Sequence, residues 1–326
     1  MVPLLRLALP ATSAGCRGVT RLGGGAQWIP ATVSDKQGQV AVLINVCIEG
    51  KGPYPFVVDT GASSTAVDAG LVKQLGLKAV GKPEKLVGPS CVTDGQEYRV
   101  AQWSVAGLAL QPQTLTAVKI PDLGDPGEPV GVIGSDVWNR FGELRVDFRR
   151  RDLVVPGSER AAPNRTILIT KPAISRLPKS LISGAAELDA PMTVEASPDT
   201  VLLAIAVAFG SQEPREFIPD TGAVISVVDS SVATIAGLKR LGFRTTQSTI
   251  CSVLVTPELA TGNWSIVGKA PSPPSLAGQA LWPQSVATID LRRMRAVGGF
   301  LGADQMSQFG SVVFDYAGGR ILLGAH

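Results

Sequence analysis

Apolar residues in this chain fall into short runs, with glycine, proline and polar residues between them. This pattern predicts strands and turns rather than long helices. One run, residues 40–46, leads through a polar turn into a second run that ends at Asp59, and Thr60 and Gly61 come next. Because Asp-X-Gly is ordinary turn chemistry, we predict a β-hairpin followed by a tight turn that begins with a carboxylate.

The same pattern returns in the second half of the chain. Residues 201–207 lead through a polar turn into a run that ends at Asp220, which is followed by Thr221 and Gly222. One Asp-Thr-Gly tripeptide is a weak signal, whereas two copies inside matching flanks indicate an internal repeat. We therefore predict an all-β protein built from two lobes of one fold.

Each Asp-Thr-Gly turn is followed by a strand-like segment and then by a helix signal. Asp68 is placed to cap a helix over residues 69–75, and Asp229 is placed to cap one over residues 230–241. The glycine directly after each segment is the expected C-terminal stop. Short helices are thus expected at matching places in the two lobes.

Two later segments also match between the halves. Residues 131–136 contain an apolar-apolar-Gly triplet and correspond to residues 299–304, which contain another; residues 146–148 correspond to residues 314–316. The expected organisation is a leader or disordered segment (1–30), an N-terminal lobe with Asp59 (31–157), a linker with one extra strand (158–200) and a C-terminal lobe with Asp220 (201–326).

The start of the chain carries a short apolar run that Arg6 and Pro10 interrupt. Two interpretations stay open, a truncated secretory signal and a disordered leader. We expect an extracytoplasmic location, with a cytoplasmic one as the alternative. No later apolar run reaches the roughly 18 residues that a membrane helix needs, so no membrane span is expected.

The amino-acid composition argues against several classes of function. With 30 Lys+Arg against 27 Asp+Glu and no basic block, the chain is not expected to bind nucleic acid. The single histidine is His326, which leaves Ser-His or Cys-His catalysis without a base and a His-ligated metal without ligands. The four cysteines show no CxxC spacing. Neither a metal nor another cofactor is expected.

These residues together resemble the aspartic peptidases, and specifically the retropepsin-like branch that is common in bacteria, with two Asp-Thr-Gly-Ala copies in one chain. The family joins that motif to an apolar-apolar-Gly motif, and both halves have both: Asp59 with Val132-Ile133-Gly134, and Asp220 with Phe300-Leu301-Gly302. The resemblance implies the bilobal aspartic-peptidase fold, in which two β-barrel-like lobes with short helices are related by a pseudo-two-fold axis.

The resemblance also implies the chemistry. Asp59 and Asp220 would be a catalytic dyad that shares one proton and holds a water between its carboxyls, because like charges at that distance cannot both ionise easily. The expected substrate is a peptide or protein. Since the pair titrates together, the sequence leaves open which aspartate is the base. Both aspartates lie in one chain, so a monomer is expected.

Residues around the dyad are expected to support it: Thr60, Gly61, Ala62, Thr221, Gly222 and Ala223. Family resemblance suggests that the two threonine hydroxyls bond across the axis. The two alanines stand where many pepsin-like proteins carry Ser, whose hydroxyl would stabilise a carboxylate. We therefore expect a pH optimum less acidic than that of pepsin.

A substrate would lie extended under hairpin flaps, in the manner of strand addition. The first candidate flap covers residues 86–100, with Thr93, Asp94 and Gly95 as its tip and as tentative substrate-binding residues. Residues 248–259 occupy the matching place in the second lobe. Cys91 and Cys251 lie at equivalent positions in these segments, either as a disulfide between the flaps or as two buried free thiols.

One departure from the family pattern opens an alternative function. Pro219 directly precedes Asp220, where the first lobe has Val58. Proline removes a ladder donor and is unusual in a central strand, so the second turn could be displaced. The alternative is then a catalytically weak or inactive peptide-binding surface module on the same fold.

Overall fold

A computed structural model of the chain describes residue 16 and residues 20–21, 25–88, 92–120, 128–160, 165–167, 186–209, 212–249, 252–262, 264–269, 276–281, 285–291, 294 and 297–324. The described chain is mostly β-strand with short helices, which confirms the all-β expectation. The helices are α1 (Ala69–Leu75), α2 (Ser135–Phe141), α3 (Ser230–Ile235) and α4 (Ala303–Met306), which continues into a 3-10 turn at Ser307–Phe309.

Strands of the first half are β1 (Thr20–Arg21), β2 (Gln27–Pro30), β3 (Thr32–Lys36), β4 (Gln39–Ile48), β5 (Lys51–Val58), β6 (Ala66–Asp68), β7 (Ala79–Val87), β8 (Val92–Val100), β9 (Trp103–Val105), β10 (Leu108–Leu110), β11 (Gln113–Val118), β12 (Gly131–Ile133), β13 (Leu144–Asp147) and β14 (Asp152–Val155).

Strands of the second half are β15 (Arg165–Ile167), β16 (Ala186–Ala196), β17 (Val201–Phe209), β18 (Arg215–Asp220), β19 (Val227–Asp229), β20 (Lys239–Thr249), β21 (Ser252–Ala260), β22 (Trp264–Lys269), β23 (Leu276–Ala280), β24 (Ser285–Ile289), β25 (Gly299–Gly302), β26 (Ser311–Asp315) and β27 (Arg320–Gly324).

The same strand arrangement surrounds both Asp-Thr-Gly turns. In the first half the hairpin β4–β5 places β5 parallel to β12, and β12 pairs antiparallel with β6. In the second half the hairpin β17–β18 places β18 parallel to β25, and β25 pairs antiparallel with β19. Each apolar-apolar-Gly triplet therefore lies directly beside the strand that leads to an aspartate.

Aromatic side chains pack under both turns and require glycine on the neighbouring strand. A Cβ on Gly131 would lie 2.1 Å from the ring of Phe56, and a Cβ on Gly299 would lie 2.4 Å from the ring of Phe217. Both phenylalanines are fully buried, in one apolar cluster that extends through both halves. The glycines that begin β12 and β25 thus let the sheet approach the core closely.

A central set of strands connects the halves. β13 pairs antiparallel with β26, and the sheet continues through β14 and β2 on one side and through β27 and β16 on the other. Strand β2 lies inside the segment that was expected to be a leader, and β15 and β16 lie inside the expected linker. Both segments supply strands to the sheet because their apolar residues are buried there, as Ile29 and Val194 are.

The pairing does not close the first half into a barrel. Its strands follow an open path from β10 through β9, β4, β5, β12, β6, β11 and β8 to β7, with β3 on β4. Within the described residues this is an open sheet, so the closed form of the expected barrel-like lobe is not present.

One of the two predicted helices has the predicted bounds. α1 begins after Asp68, whose carboxylate accepts from the N–H groups of Gly70 and Leu71, and it ends at Gly76 in the left-handed conformation. α3 is shorter than predicted, because it ends at Ile235 and Gly237 then takes a φ of 67°. β20 begins at Lys239, so the prediction of a helix to residue 241 was wrong.

Hairpins lie at both places where flaps were predicted, as β7–β8 and β20–β21, and they begin earlier than predicted, at Ala79 and Lys239. The predicted tip was wrong. Thr93, Asp94 and Gly95 lie inside β8, where they pair with Leu86, Lys85 and Glu84, and the ladder continues to the pair Val87–Val92. Gly95 is needed for packing rather than for a turn, since a Cβ there would lie 2.6 Å from Leu86 and 2.7 Å from Thr116.

Cys16 and Cys47 form a disulfide bond, which ties the start of the described chain to β4. Cys91 and Cys251, for which a disulfide or two free thiols were expected, lie outside the described residues. Among the residues that the structure describes, no helix is long and apolar enough to cross a membrane.

Candidate active site

Asp59 directly follows β5, and the backbone holds its carboxylate in place. The N–H of Asp59 donates to the carbonyl of Ile133 at 3.0 Å, which fixes the residue beside β12. Its Oδ1 accepts from the N–H of Ala62 at 2.7 Å, and the nearby N–H of Gly61 also lowers the pKa of this carboxyl. The turn thus supplies the N–H groups that the sequence led us to expect around the carboxylate.

Asp220 is held in the same way at the end of β18. Its Oδ1 accepts from the N–H of Gly222 at 2.8 Å and from the N–H of Ala223 at 3.0 Å. Asp220 also pairs with Gly302 in the register between β18 and β25.

Each carboxyl packs against the glycine of the other turn. A Cβ on Gly61 would lie 2.3 Å from Cγ of Asp220, and a Cβ on Gly222 would lie 2.4 Å from Cγ of Asp59. The two carboxyls share a side-chain hydrogen bond. The structure therefore brings together two aspartates that are 161 positions apart, the same separation as that of Thr60 and Thr221.

The two threonines cross between the turns, as the family resemblance suggested. The hydroxyl of Thr60 donates to the carbonyl of Pro219 at 2.7 Å, and that of Thr221 donates to the carbonyl of Val58 at 2.6 Å. Each hydroxyl oxygen also accepts from the N–H of the other threonine, at 3.1 Å in both cases. Because both threonines are buried, these reciprocal bonds fix the turns relative to each other.

Pro219 does not displace the second turn. It keeps its place in the ladder opposite Leu301, and its carbonyl is the acceptor for the Thr60 hydroxyl. Only the proline nitrogen lacks a proton, and the crossing between the turns uses the carbonyl. The alternative of a peptide-binding module depended on a displaced second turn, and that displacement is not observed.

Burial shapes the electrostatics of the pair. Removal from water raises the pKa of Asp59, while hydrogen bonds from Asp220, Ala62 and Gly61 lower it in part. Burial raises the pKa of Asp220 well above its usual range, and the charge and hydrogen bond of Asp59 raise it further. Both shifts favour the protonated form, and because the two carboxyls interact, they titrate as a pair.

Sequence reasoning missed a layer of buried polar residues behind the turns. In the first half, the Thr65 hydroxyl donates to Asp136 at 2.8 Å and accepts from the N–H of Gly134 at 3.0 Å. In the second half, the Ser226 hydroxyl donates to Asp304 at 2.7 Å and accepts from the N–H of Gly302 at 2.9 Å. The signal was available, because both hydroxyl–aspartate pairs lie in segments that match between the halves.

The carboxyl of Asp136 in this layer has a markedly raised pKa. Burial raises the pKa of Asp136 to about 6, against hydrogen bonding from Thr65 and the charge of Arg140. Gln113 also donates to this carboxylate, at 3.3 Å.

The tentative substrate-binding residues stand apart from this constellation. Asp94 forms an exposed ion pair with Lys85 at 2.6 Å, and Gly95 packs inside the hairpin against Leu86. No cluster of His, Cys, Asp and Glu among the described residues could hold a metal ion.

Comparison with protein families supports an aspartyl protease domain. The family described as aspartyl protease matches residues 44–137, a segment that contains Asp59, Thr65 and Gly134. The match extends from β4 to α2 and supports a hydrolase of the protease type. A search of curated proteins found no match to this chain.

Proposed function

We propose that the protein is an aspartic endopeptidase whose dyad, Asp59 and Asp220, activates a water that attacks the peptide bond. The observation that carries the proposal is the reciprocal contact of the two turns, in which each carboxyl fills the space beside the other turn's glycine. The proposal extends the aspartyl protease match to the second half of the chain, which would be a second lobe related to the first by duplication.

The reaction needs only these two carboxyls and water. One carboxylate accepts a proton from water as the water oxygen bonds to the scissile carbonyl carbon, and the protonated partner gives its proton to the carbonyl oxygen. As the C–N bond breaks, the first carboxyl returns its proton to the leaving nitrogen, and the second takes back the proton from the diol. The products are a free acid and an amine, without an acyl-enzyme.

Hairpins β7–β8 and β20–β21 would cover the substrate from the two halves, with the chain extended between them. Thr93, Asp94 and Gly95 would contribute through the body of β8 rather than through its turn. The raised pKa of both aspartates supports an optimum that is less acidic than that of pepsin. A monomer would suffice, since both carboxyls belong to one chain.

The test is cleavage of a mixed peptide library by the purified protein between pH 3 and 8, read by mass spectrometry. Asp59→Asn and Asp220→Asn should each reduce cleavage roughly 10³-fold or more, because each removes a group that transfers a proton. The matched control is Asp199→Asn, the same change at an exposed position, which should cleave like the wild type.

Further measurements distinguish the possible outcomes of this test. Incorporation of one ¹⁸O from labelled water into the new carboxyl terminus, without a trappable acyl intermediate, supports direct attack by water. If the wild type cleaves nothing and still binds peptides, the peptide-binding module replaces the peptidase. Resistance to pepstatin alone would indicate only that the substrate pockets differ.

A further inference from the structure

A buried pair of hydroxyls stands directly behind the first Asp-Thr-Gly turn. Ser135 is the first residue of α2, and its Oγ donates to the carbonyl of Thr60 at 2.8 Å. The same Oγ lies 3.1 Å from the phenolic oxygen of Tyr316, which follows β26 in the second half of the chain. Both side chains are fully buried, so water does not compete for these hydrogen bonds.

The number of protons available shows which group is the donor in each of these hydrogen bonds. A serine hydroxyl has one proton, and Ser135 gives it to the carbonyl of Thr60. Its oxygen is then left to accept, which makes the phenol of Tyr316 the donor. Burial raises the pKa of Tyr316, and the charges of Asp136 and Asp59 raise it further, so the phenol stays protonated.

This chain of donors reaches Asp59 through one peptide unit. The carbonyl of Thr60 and the N–H of Gly61 belong to the same amide, and that N–H lies close enough to the carboxyl of Asp59 to lower its pKa. A hydrogen bond to an amide carbonyl polarises the amide and strengthens its N–H as a donor. A chain of polar groups therefore leads from Tyr316 through Ser135 and the amide between Thr60 and Gly61 to the carboxylate of Asp59.

Among the residues that the structure describes, no equivalent pair of hydroxyls lies behind the second turn. Ala303 occupies the place of Ser135, and Phe148 occupies the place of Tyr316, in the segments that match between the halves. Neither side chain has a hydroxyl, so neither can donate to the carbonyl of Thr221. The two turns share the threonine crossing, whereas this hydroxyl pair lies behind the first turn.

We propose that Tyr316 and Ser135 are positioning residues that stabilise the anionic form of Asp59 and thereby assign the roles within the dyad. Asp59 is then the base that takes the proton from water, and Asp220 is the acid that protonates the scissile carbonyl. The proposal rests on the proposed peptidase function for its catalytic meaning. The order of proton affinities in the pair can be measured without any activity.

Other charged groups lie close enough to affect a titration of Asp59. They are Asp220, which shares its hydrogen bond, and Asp136, whose pKa is raised to about 6 and whose charge Arg140 partly balances. Site-resolved ¹³C NMR of the aspartate carboxyls separates these three groups, with Asp59→Asn, Asp136→Asn and Asp220→Asn used to assign the signals.

The experiment compares Tyr316→Phe and Ser135→Ala with the wild type. Each variant removes a donor from the chain, so the midpoint at which Asp59 loses its proton should rise by roughly half a unit to one unit. The acidic limb of the kcat/KM profile should move by the same amount. We expect kcat to fall about 3- to 10-fold, with KM unchanged, because the substrate does not touch these residues.

Controls separate a positioning role from a structural one. Ser135→Thr retains a hydroxyl and should restore most of the wild-type midpoint, while Tyr54→Phe makes the same change as Tyr316→Phe at a half-buried position on β5. If Tyr316→Phe fails to fold, Ser135→Ala alone carries the test.

The outcomes are distinct. An Asp59 midpoint that stays fixed in both variants overturns the positioning role, and so does a wild-type protein in which Asp220 loses its proton before Asp59. If the midpoints move as expected and no peptide is cleaved, the hydroxyl chain stands and the peptidase proposal fails.

Discussion

Gly61 lies so close to the carboxyl of Asp220 that no additional carbon atom would fit between them. A Cβ on Gly61 would lie 2.3 Å from Cγ of Asp220 and 2.6 Å from Oδ2. This glycine is required by the partner aspartate rather than by its own backbone, because its φ lies outside the left-handed region. The Asp-Thr-Gly motif is thus defined by a contact with the other half of the chain.

Gly61→Ala should reduce peptide cleavage at least roughly 100-fold, because a methyl group would push the carboxyl of Asp220 away from that of Asp59. The measurement is kcat/KM on the best peptide from the library. The control is Gly38→Ala, which strains a left-handed glycine in open space and should lower stability without changing cleavage. Wild-type cleavage by Gly61→Ala would contradict the packing.

Thr221→Val should lower the free energy of unfolding by about 2 kcal/mol, since it leaves the N–H of Thr60 and the carbonyl of Val58 buried without their partner. Urea unfolding measures this loss. Thr221→Ser keeps the hydroxyl and should lose much less. Equal losses in the two variants would mean that the methyl group, and not the crossing bonds, stabilises the turns.

Glu143 gives a prediction about pH and stability. Its side chain is 7% exposed, and burial together with the charge of Asp315 raises its pKa from 4.5 to about 7, against Arg320 and Arg145. Between these values the unfolded chain has released the proton and the folded chain still holds it, so stability falls as pH rises from 4.5 to 7.

Glu143→Gln removes the ionisable group that causes this pH dependence. The Tm of the variant, minus that of the wild type, should therefore increase between pH 4.5 and 7.5 in a calorimetric series. Glu84→Gln, at an exposed strand position, provides the comparison and should give a constant difference. A Tm difference for Glu143→Gln that does not change with pH would rule out a protonated Glu143 in the folded protein.

Asp68→Ala should cost about 1 kcal/mol of stability, because the carboxylate caps α1 through Gly70 and Leu71 and also accepts from the N–H of Ile120 at 3.2 Å. Asp68→Asn keeps an acceptor at the cap and should recover most of the loss. Chemical unfolding followed by circular dichroism measures both. A cap with no effect on stability would indicate that tertiary packing alone holds α1.

Features determined by neighbouring residues were predictable from the sequence. The strands that lead to Asp59 and Asp220 follow from short apolar runs, and the start and stop of α1 follow from Asp68 and the glycine at its end. The meeting of the two turns was implied by the resemblance to the aspartic peptidases and not by any local pattern.

Features set by long-range packing were not predictable. Thr93-Asp94-Gly95 has the composition of a turn, yet the register of β7 against β8 places it in a strand, and Gly95 fits against Leu86 and Thr116. The hydrogen bond between Ser135 and Tyr316 joins residues 181 positions apart, and nothing local to either residue signals it.

Backbone pairing between β13 and β26 couples the halves as stiffly as neighbouring strands within one sheet. A motion that pulled the halves apart along this seam would have to break the ladder from Leu144–Phe314 to Asp147–Ser311. We therefore expect the distance between the two carboxyls to vary little. In the proposed peptidase, a long substrate would enter by local movement of the hairpins while the alignment of the two carboxyls stays constant from one turnover to the next.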